Sequence, residues 1–158
     1  MSLTAYAFLT RWRIAAPVER VWEEIFHVER WTRWWRGLLR VEELVPGGAD
    51  QVGRVCRLTW KGWLPYYLVV EMRTLRVQAP SLLESEARGA LEGLGRWRLS
   101  AGEGQTHVDY EWRVRTTERW MNRLSPLARP LFVWNHHVVM RRGERGLRRW
   151  IAQVGRQA

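Results

Sequence analysis

Between Gly37 and Thr116 the side chains follow a period of two, and no other feature constrains this chain as strongly. That period predicts strands at 38–45, 53–62, 65–78, 81–89, 91–100 and 106–116. Two alternate clearly. Tyr66, Leu68, Val70 and Met72 oppose Tyr67, Glu71 and Arg73, and Val108, Tyr110, Trp112 and Val114 oppose His107, Asp109, Glu111, Arg113 and Arg115. Ala101-Gly102-Glu103-Gly104 reads as a hairpin turn. Connections this short predict an antiparallel sheet.

The ends of the chain supply what such a sheet needs as cover. Phe8 to Ile14 alternates as one more strand, with Phe8, Thr10, Trp12 and Ile14 on one face. Pro17 then opens a helix at its first turn, where its missing N–H is harmless. Val18, Val21, Trp22, Ile25 and Phe26 form the apolar face of that helix, and Glu19, Arg20, Glu23 and Glu24 the wet one. A second short helical turn carries Trp31, Trp34 and Trp35. Ser125-Pro126 and Arg129-Pro130 mark an irregular entry to a last helix over 131–154, since Pro disrupts a helix interior. The order is strand, two short helices, six strands, long helix. It predicts an α+β fold with the helices gathered on one face of the sheet.

The 158 residues suit a single domain over 1–158, large enough for a core. With 46% hydrophobic and 27% charged residues, the composition argues against disordered, collagen-like and membrane-spanning classes. Cys56 is the only cysteine, which excludes an intramolecular disulfide and an all-cysteine zinc site. No apolar run approaches the roughly 20 residues that span a bilayer. The first residues show no basic-then-apolar leader pattern, so the expected location is the cytoplasm.

Ala16-Pro17-Val18-Glu19-Arg20-Val21-Trp22, then Trp31, Trp34 and Trp35, then Val41-Glu42, carry a family resemblance. With the proline-marked terminal helix, they make the chain similar to the START-like, polyketide cyclase/dehydrase superfamily, the helix-grip fold. The resemblance covers essentially the whole chain. It implies a seven-stranded curved antiparallel sheet around the long C-terminal helix, with two short helices after the first strand. It also implies a cavity for a lipid, polyketide or other apolar molecule. One helix cannot fill the concave side of such a sheet, and the strands turn aromatic and aliphatic residues inward, as ligand pockets require.

Candidate lining residues follow from parity and helical spacing. There are 12 Trp against 3 Phe, and Trp60, Trp97, Trp112 and Trp134 are placed to face inward, although each could equally be core packing. Leu68 and Val70 share their face with Tyr66. Tyr66 and Tyr110 point inward and could orient a carbonyl or hydroxyl group, unless their hydroxyls merely find a backbone partner. On the last helix, Asn135-His136-His137 lies between Trp134 and Val138. Adjacent helical residues diverge by about 100°, so the two histidines do not readily share a metal, and Asn135 is the one expected at the cavity, beside Val138. His136 is conceivable as a general base near neutrality. Surface or internally satisfied histidines are the plainer reading.

Other signals carry less. Glu84, Glu86 and Arg88 share a face that reads as solvated. Cys56 reads as an inert buried thiol. Gly89-x-x-x-Gly93-x-Gly95 lacks the strand–turn–helix context of a nucleotide loop. No zinc-protease, hydrolase-elbow or Walker pattern is present. No metal, cofactor or catalytic residue is therefore assigned.

The net charge of +10 is almost all arginine. Most arginines alternate with apolar residues as on solvated strands, and the one block, Arg141, Arg142, Arg145, Arg148 and Arg149, suits a helix C-terminus. Three functions follow in decreasing order. The first is binding a small apolar or aromatic molecule between sheet and helix. The second is polyketide aromatase/cyclase chemistry assisted by Tyr66, Tyr110, Asn135 and His136. The third is a basic surface module for nucleic acid or anionic membrane. The expected partner is a small apolar ligand. Nucleic acid is not expected, a weak contact with anionic membrane is possible, and the chain is expected as a monomer or homodimer.

Overall fold

A computed structural model describes residues 3–157. The chain runs β1 (Ala5–Ile14), α1 (Val18–Phe26), a 3-10 helix (Val28–Arg33), β2 (Leu38–Val45), β3 (Val55–Trp60), β4 (Leu68–Gln78), β5 (Leu82–Gly89), β6 (Leu91–Ala101), β7 (Thr106–Thr116) and α2 (Arg119–Gln157). The strands form one sheet in the order β1-β7-β6-β5-β4-β3-β2, and every neighbouring pair is antiparallel. This is the expected α+β helix-grip architecture, a curved seven-stranded sheet against a long C-terminal helix.

The period of two sets which side chains meet α2. Register aligns Phe8, Trp112, Gly95, Ser85 and Thr74 in one row across β1, β7, β6, β5 and β4. The next row holds Thr10, Tyr110, Trp97 and Leu83. Opposite-face residues such as Leu9, Arg11, Arg113 and Arg115 are exposed. The Glu84 and Glu86 face is ion-paired: Glu84 meets Arg96 at 2.9 Å and Glu86 meets Arg88 at 3.3 Å.

One end of the core is tryptophan-rich. Trp31, Trp34 and Trp35 are all buried, and Trp35 packs on Trp12, Trp60 and Trp97 with ring centroids 5.0–6.1 Å apart. The indole N–H of Trp31 donates to Glu24 O, and that of Trp35 to Val139 O of α2 at 2.8 Å. Two glycines let α2 come this close. A Cβ on Gly143 would lie 2.5 Å from the Trp35 ring and 2.9 Å from Trp12, and one on Gly146 would collide with the Trp34 carbonyl oxygen.

Two expectations need correcting. α2 begins at Arg119, not Leu131, and its 39 residues pass through Pro126 and Pro130. Each proline removes one backbone hydrogen bond. Both are exposed, so water can satisfy the freed carbonyls, while the opposite side of the same turns is anchored. Met121 and Ser125 are buried, the Ser125 hydroxyl donates to Leu3 O, and Arg129 donates to the same carbonyl at 2.9 Å. The second correction concerns β3 and β4, which are shorter than 53–62 and 65–78. Residues 61–67, with Pro65 among them, form a connecting loop.

Candidate ligand cavity

Between the concave sheet face and α2 lies a cavity of about 170 Å³. Held water needs roughly 10–15 Å³ measured this way, so this space far exceeds a packing defect. Its walls are largely rings and aliphatic chains, which the inward rows of the sheet and one stripe of α2 provide.

Eight of the ten expected lining residues border this space: Trp60, Tyr66, Leu68, Val70, Trp97, Tyr110, Trp112 and Asn135. Trp134 and Val138 do not border it. Trp134 is 45% exposed and stacks edge-on against Trp63 of the 61–67 loop at 4.8 Å. The reason is helical phase. Beyond Met121 in its first turn, the α2 residues bordering the cavity are Phe132, Asn135, His136, Val139 and Met140, an i, i+3, i+4, i+7, i+8 stripe. Trp134 and Val138 are four apart on a neighbouring stripe and turn away together.

Tyr110 stacks on Trp97 at 4.0 Å and lies beside Trp112 at 5.8 Å. Both Tyr110 and Trp112 lean across β6 because Gly95 has no side chain. A Cβ there would stand 2.8 Å from the Tyr110 hydroxyl and 3.0 Å from the Trp112 ring. Burial pushes the Tyr110 hydroxyl above the ordinary phenol range, so it stays protonated and can act as a donor. Tyr66 belongs to the loop before β4, and its ring meets Trp120 at 4.9 Å and Phe132 at 6.4 Å. Burial, with a smaller contribution from Tyr6, pushes the Tyr66 hydroxyl up to about 12.

Asn135 is committed to structure. Its Oδ1 accepts the Trp63 backbone N–H at 3.1 Å and so ties the 61–67 loop to α2. His136 lies flat on Phe8, 3.8 Å between ring centroids. Burial, reinforced by neighbouring His137, lowers its pKa to about 3, and its buried Nε2 has no hydrogen-bond partner. At neutral pH the imidazole is thus uncharged and holds a proton only weakly, which makes it a poor general base. Cys56 also borders the cavity, and burial raises its thiol. Arg54 reaches the lining with its charge already engaged, to Glu43 at 2.5 Å and Glu29 at 3.0 Å.

The sequence reading missed several lining residues, among them Tyr6, Trp31, Trp35, Met121 and Phe132. For Tyr6 a signal existed. Extending the β1 alternation back by two puts it on the face of Phe8 and Trp12. Met121 could not be found once the last helix was begun at Leu131. Among the described residues no cluster of His, Cys, Asp and Glu could hold a metal ion, and no helix is long and apolar enough to cross a membrane.

No family model and no curated protein matches the chain. Solved structures do match its fold. A START superfamily protein from Mycobacterium smegmatis superposes with a TM-score of 0.75 at 12% identity, covering 94% of this chain and 98% of that one. The Zhui aromatase/cyclase from Streptomyces sp. R1128 gives 0.72 at 16% identity, covering 90% and 91%. The di-domain ARO/CYC BexL gives 0.67 at 16% identity over 92% of this chain, which spans half the length of that protein.

Proposed function

We propose that this chain, built on the START-like helix-grip fold, holds a small apolar molecule, preferably one with a flat aromatic ring, between its sheet and α2. The observation that carries this reading is the roughly 170 Å³ cavity walled by Trp60, Trp97, Tyr110 and Trp112. Folding leaves these rings facing a space instead of filling it. An apolar guest removes that surface from water at roughly 25 cal/mol per Å². Native mass spectrometry of the purified protein, followed by solvent extraction, tests the reading. A recurring bound apolar mass is expected, or, for protein from a host lacking the ligand, saturable uptake of added naphthalene. Failure of both contradicts it.

Aromatase/cyclase chemistry is the second reading, favoured by two of the similar structures being aromatase/cyclases. The cavity's own groups limit what they could contribute. Hydroxyls held protonated and an imidazole near 3 are poor proton carriers at neutral pH. Their contribution would be to hold a reactive chain in position. Turnover of a supplied polyketide-like substrate that survives simultaneous replacement of Tyr66, Tyr110, Asn135 and His136 would count against it.

A weak contact with an anionic lipid surface is supported at one place. From Arg119 to Gly143 there are five arginines and no acidic residue, and the exposed residues there include Trp120, Leu127 and Trp134. Salt-sensitive co-sedimentation with phosphatidylglycerol vesicles, absent with phosphatidylcholine, is the expected result. Equal binding to both vesicle types, or to neither, contradicts it.

A further inference from the structure

Several polar groups around the cavity are already engaged. Asn135 Oδ1 accepts from the Trp63 N–H, Thr116 Oγ1 donates to Asn122, and Arg54 is held by two carboxylates. Two others, the Tyr6 hydroxyl and His136 Nε2, are fully buried with no partner, and they belong to residues that border the cavity. Tyr6 is only 6% exposed. The rings form a series, Tyr6 stacked on Phe8 at 5.9 Å and Phe8 on His136 at 3.8 Å, so both orphaned groups belong to one stretch of wall where β1 meets α2. Unmet buried polar atoms are rare in folded proteins, and each calls for a partner.

Resting on the apolar-ligand reading, we infer that the ligand carries one uncharged oxygen, a hydroxyl or carbonyl, recognised by Tyr6 and His136. A phenol can donate or accept, and a neutral imidazole nitrogen does one or the other according to its tautomer. A ligand hydroxyl satisfies either tautomer because it both donates and accepts. The same wall rejects a carboxylate. Among the described residues, Arg54 is the only charged one bordering the cavity, and it is committed to Glu43 and Glu29. A buried anion without a counter-ion is strongly unfavourable. The excess of arginine on the outside therefore does not translate into an anion site within.

Three flat probes of one shape separate these outcomes by calorimetry at pH 7: naphthalene, 2-naphthol and 2-naphthoate. The hydroxyl is expected to tighten binding about fivefold over naphthalene, the worth of one net hydrogen bond, and the carboxylate to weaken it. Tyr6→Phe keeps the ring and removes its hydroxyl, and His136→Phe puts a flat apolar ring in place of the imidazole. In the double variant the affinity ratio of 2-naphthol to naphthalene is expected to fall to about one. Melting temperature is expected to hold or rise in both single variants, because no existing bond is lost. Equal binding of naphthalene and 2-naphthol, a 2-naphthol advantage that survives the double variant, or tightest binding of 2-naphthoate would each overturn the inference while leaving the apolar cavity intact. No binding of any probe would overturn the apolar-ligand reading as well.

Discussion

The two halves of α2 meet opposite surroundings. Its C-terminal half passes over Trp12, Trp34 and Trp35, all of them buried. Its N-terminal half presents Trp120, Leu124, Leu127, Leu131 and Trp134 at 42%, 49%, 86%, 47% and 45% exposure. The more apolar half is the exposed one, so available cover, not hydrophobicity, sets the difference. At one end α1 and the 3-10 helix lay a second layer over the sheet, and Gly143 and Gly146 let the long helix sink onto it. At the other end there is no such second layer: the outer side meets the 61–67 loop, through Asn135 and the Trp63–Trp134 pair, and Leu3, through Ser125 and Arg129. The tryptophan end is built to hold the fold together, and the loop end is thin-walled: Leu64, Tyr66, Met121 and Phe132 face the cavity while their neighbours face solvent.

If that division is right, the two ends should respond differently to damage. The largest effect is expected from Gly146→Val. Its side chain has no room beside the Trp34 carbonyl, so α2 must lift from the tryptophan layer. A loss above about 4 kcal/mol in denaturant unfolding is expected, the range reserved for specific core failures. Trp12→Ala removes a ring that is 2% exposed and should cost about 3–5 kcal/mol in the same assay.

A pH effect comes next. Unfolded, His136 takes its proton near 6.5, but folded only near 3. Between these values the unfolded state binds more protons, so stability falls as pH falls, by up to about 1.4 kcal/mol per pH unit. From pH 6.5 to 5, the wild type should lose about 1.6 kcal/mol more than His136→Phe, as measured by urea midpoints at each pH. Matching pH curves would place His136 in contact with water.

Gly95→Val fills the space beneath Tyr110 and Trp112. It should weaken naphthalene binding about tenfold, the equivalent of modest overpacking. The smallest effect is expected for Trp134→Ala, at the loop end, within about 0.5–1 kcal/mol of wild-type stability by thermal melting. A loss as large as that of Trp12→Ala would dissolve the contrast between the ends.

The sheet was legible because its determinants are local. A strict period of two places Trp97, Tyr110 and Trp112 on the inner face whatever surrounds them, and the i, i+3, i+4 pattern does the same for Val21, Trp22 and Ile25 of α1. The cavity side of α2 was not legible. Apolar residues lie on more than one side of its N-terminal half, so no single stripe marks the inward face, and Trp134 competes with Phe132 and His136. Its starting point was hidden as well. Pro126 and Pro130 read locally as breaks, whereas the bonds of Ser125 and Arg129 to Leu3, far away in sequence, hold those turns in place. Nor does any local pattern distinguish Gly95, Gly143 and Gly146 from other glycines, since what they make room for comes from distant elements.

The central claim is that an apolar guest enters among the inward tryptophans. Tryptophan serves as its own reporter, because each indole N–H gives a separate signal in a proton–nitrogen correlation spectrum. In a titration with naphthalene the signals of Trp60, Trp97 and Trp112 should move together and saturate, while those of Trp63, Trp120 and Trp134 should stay nearly still. Saturable shifts confined to the three exposed tryptophans, with the inward three unmoved, would contradict the account.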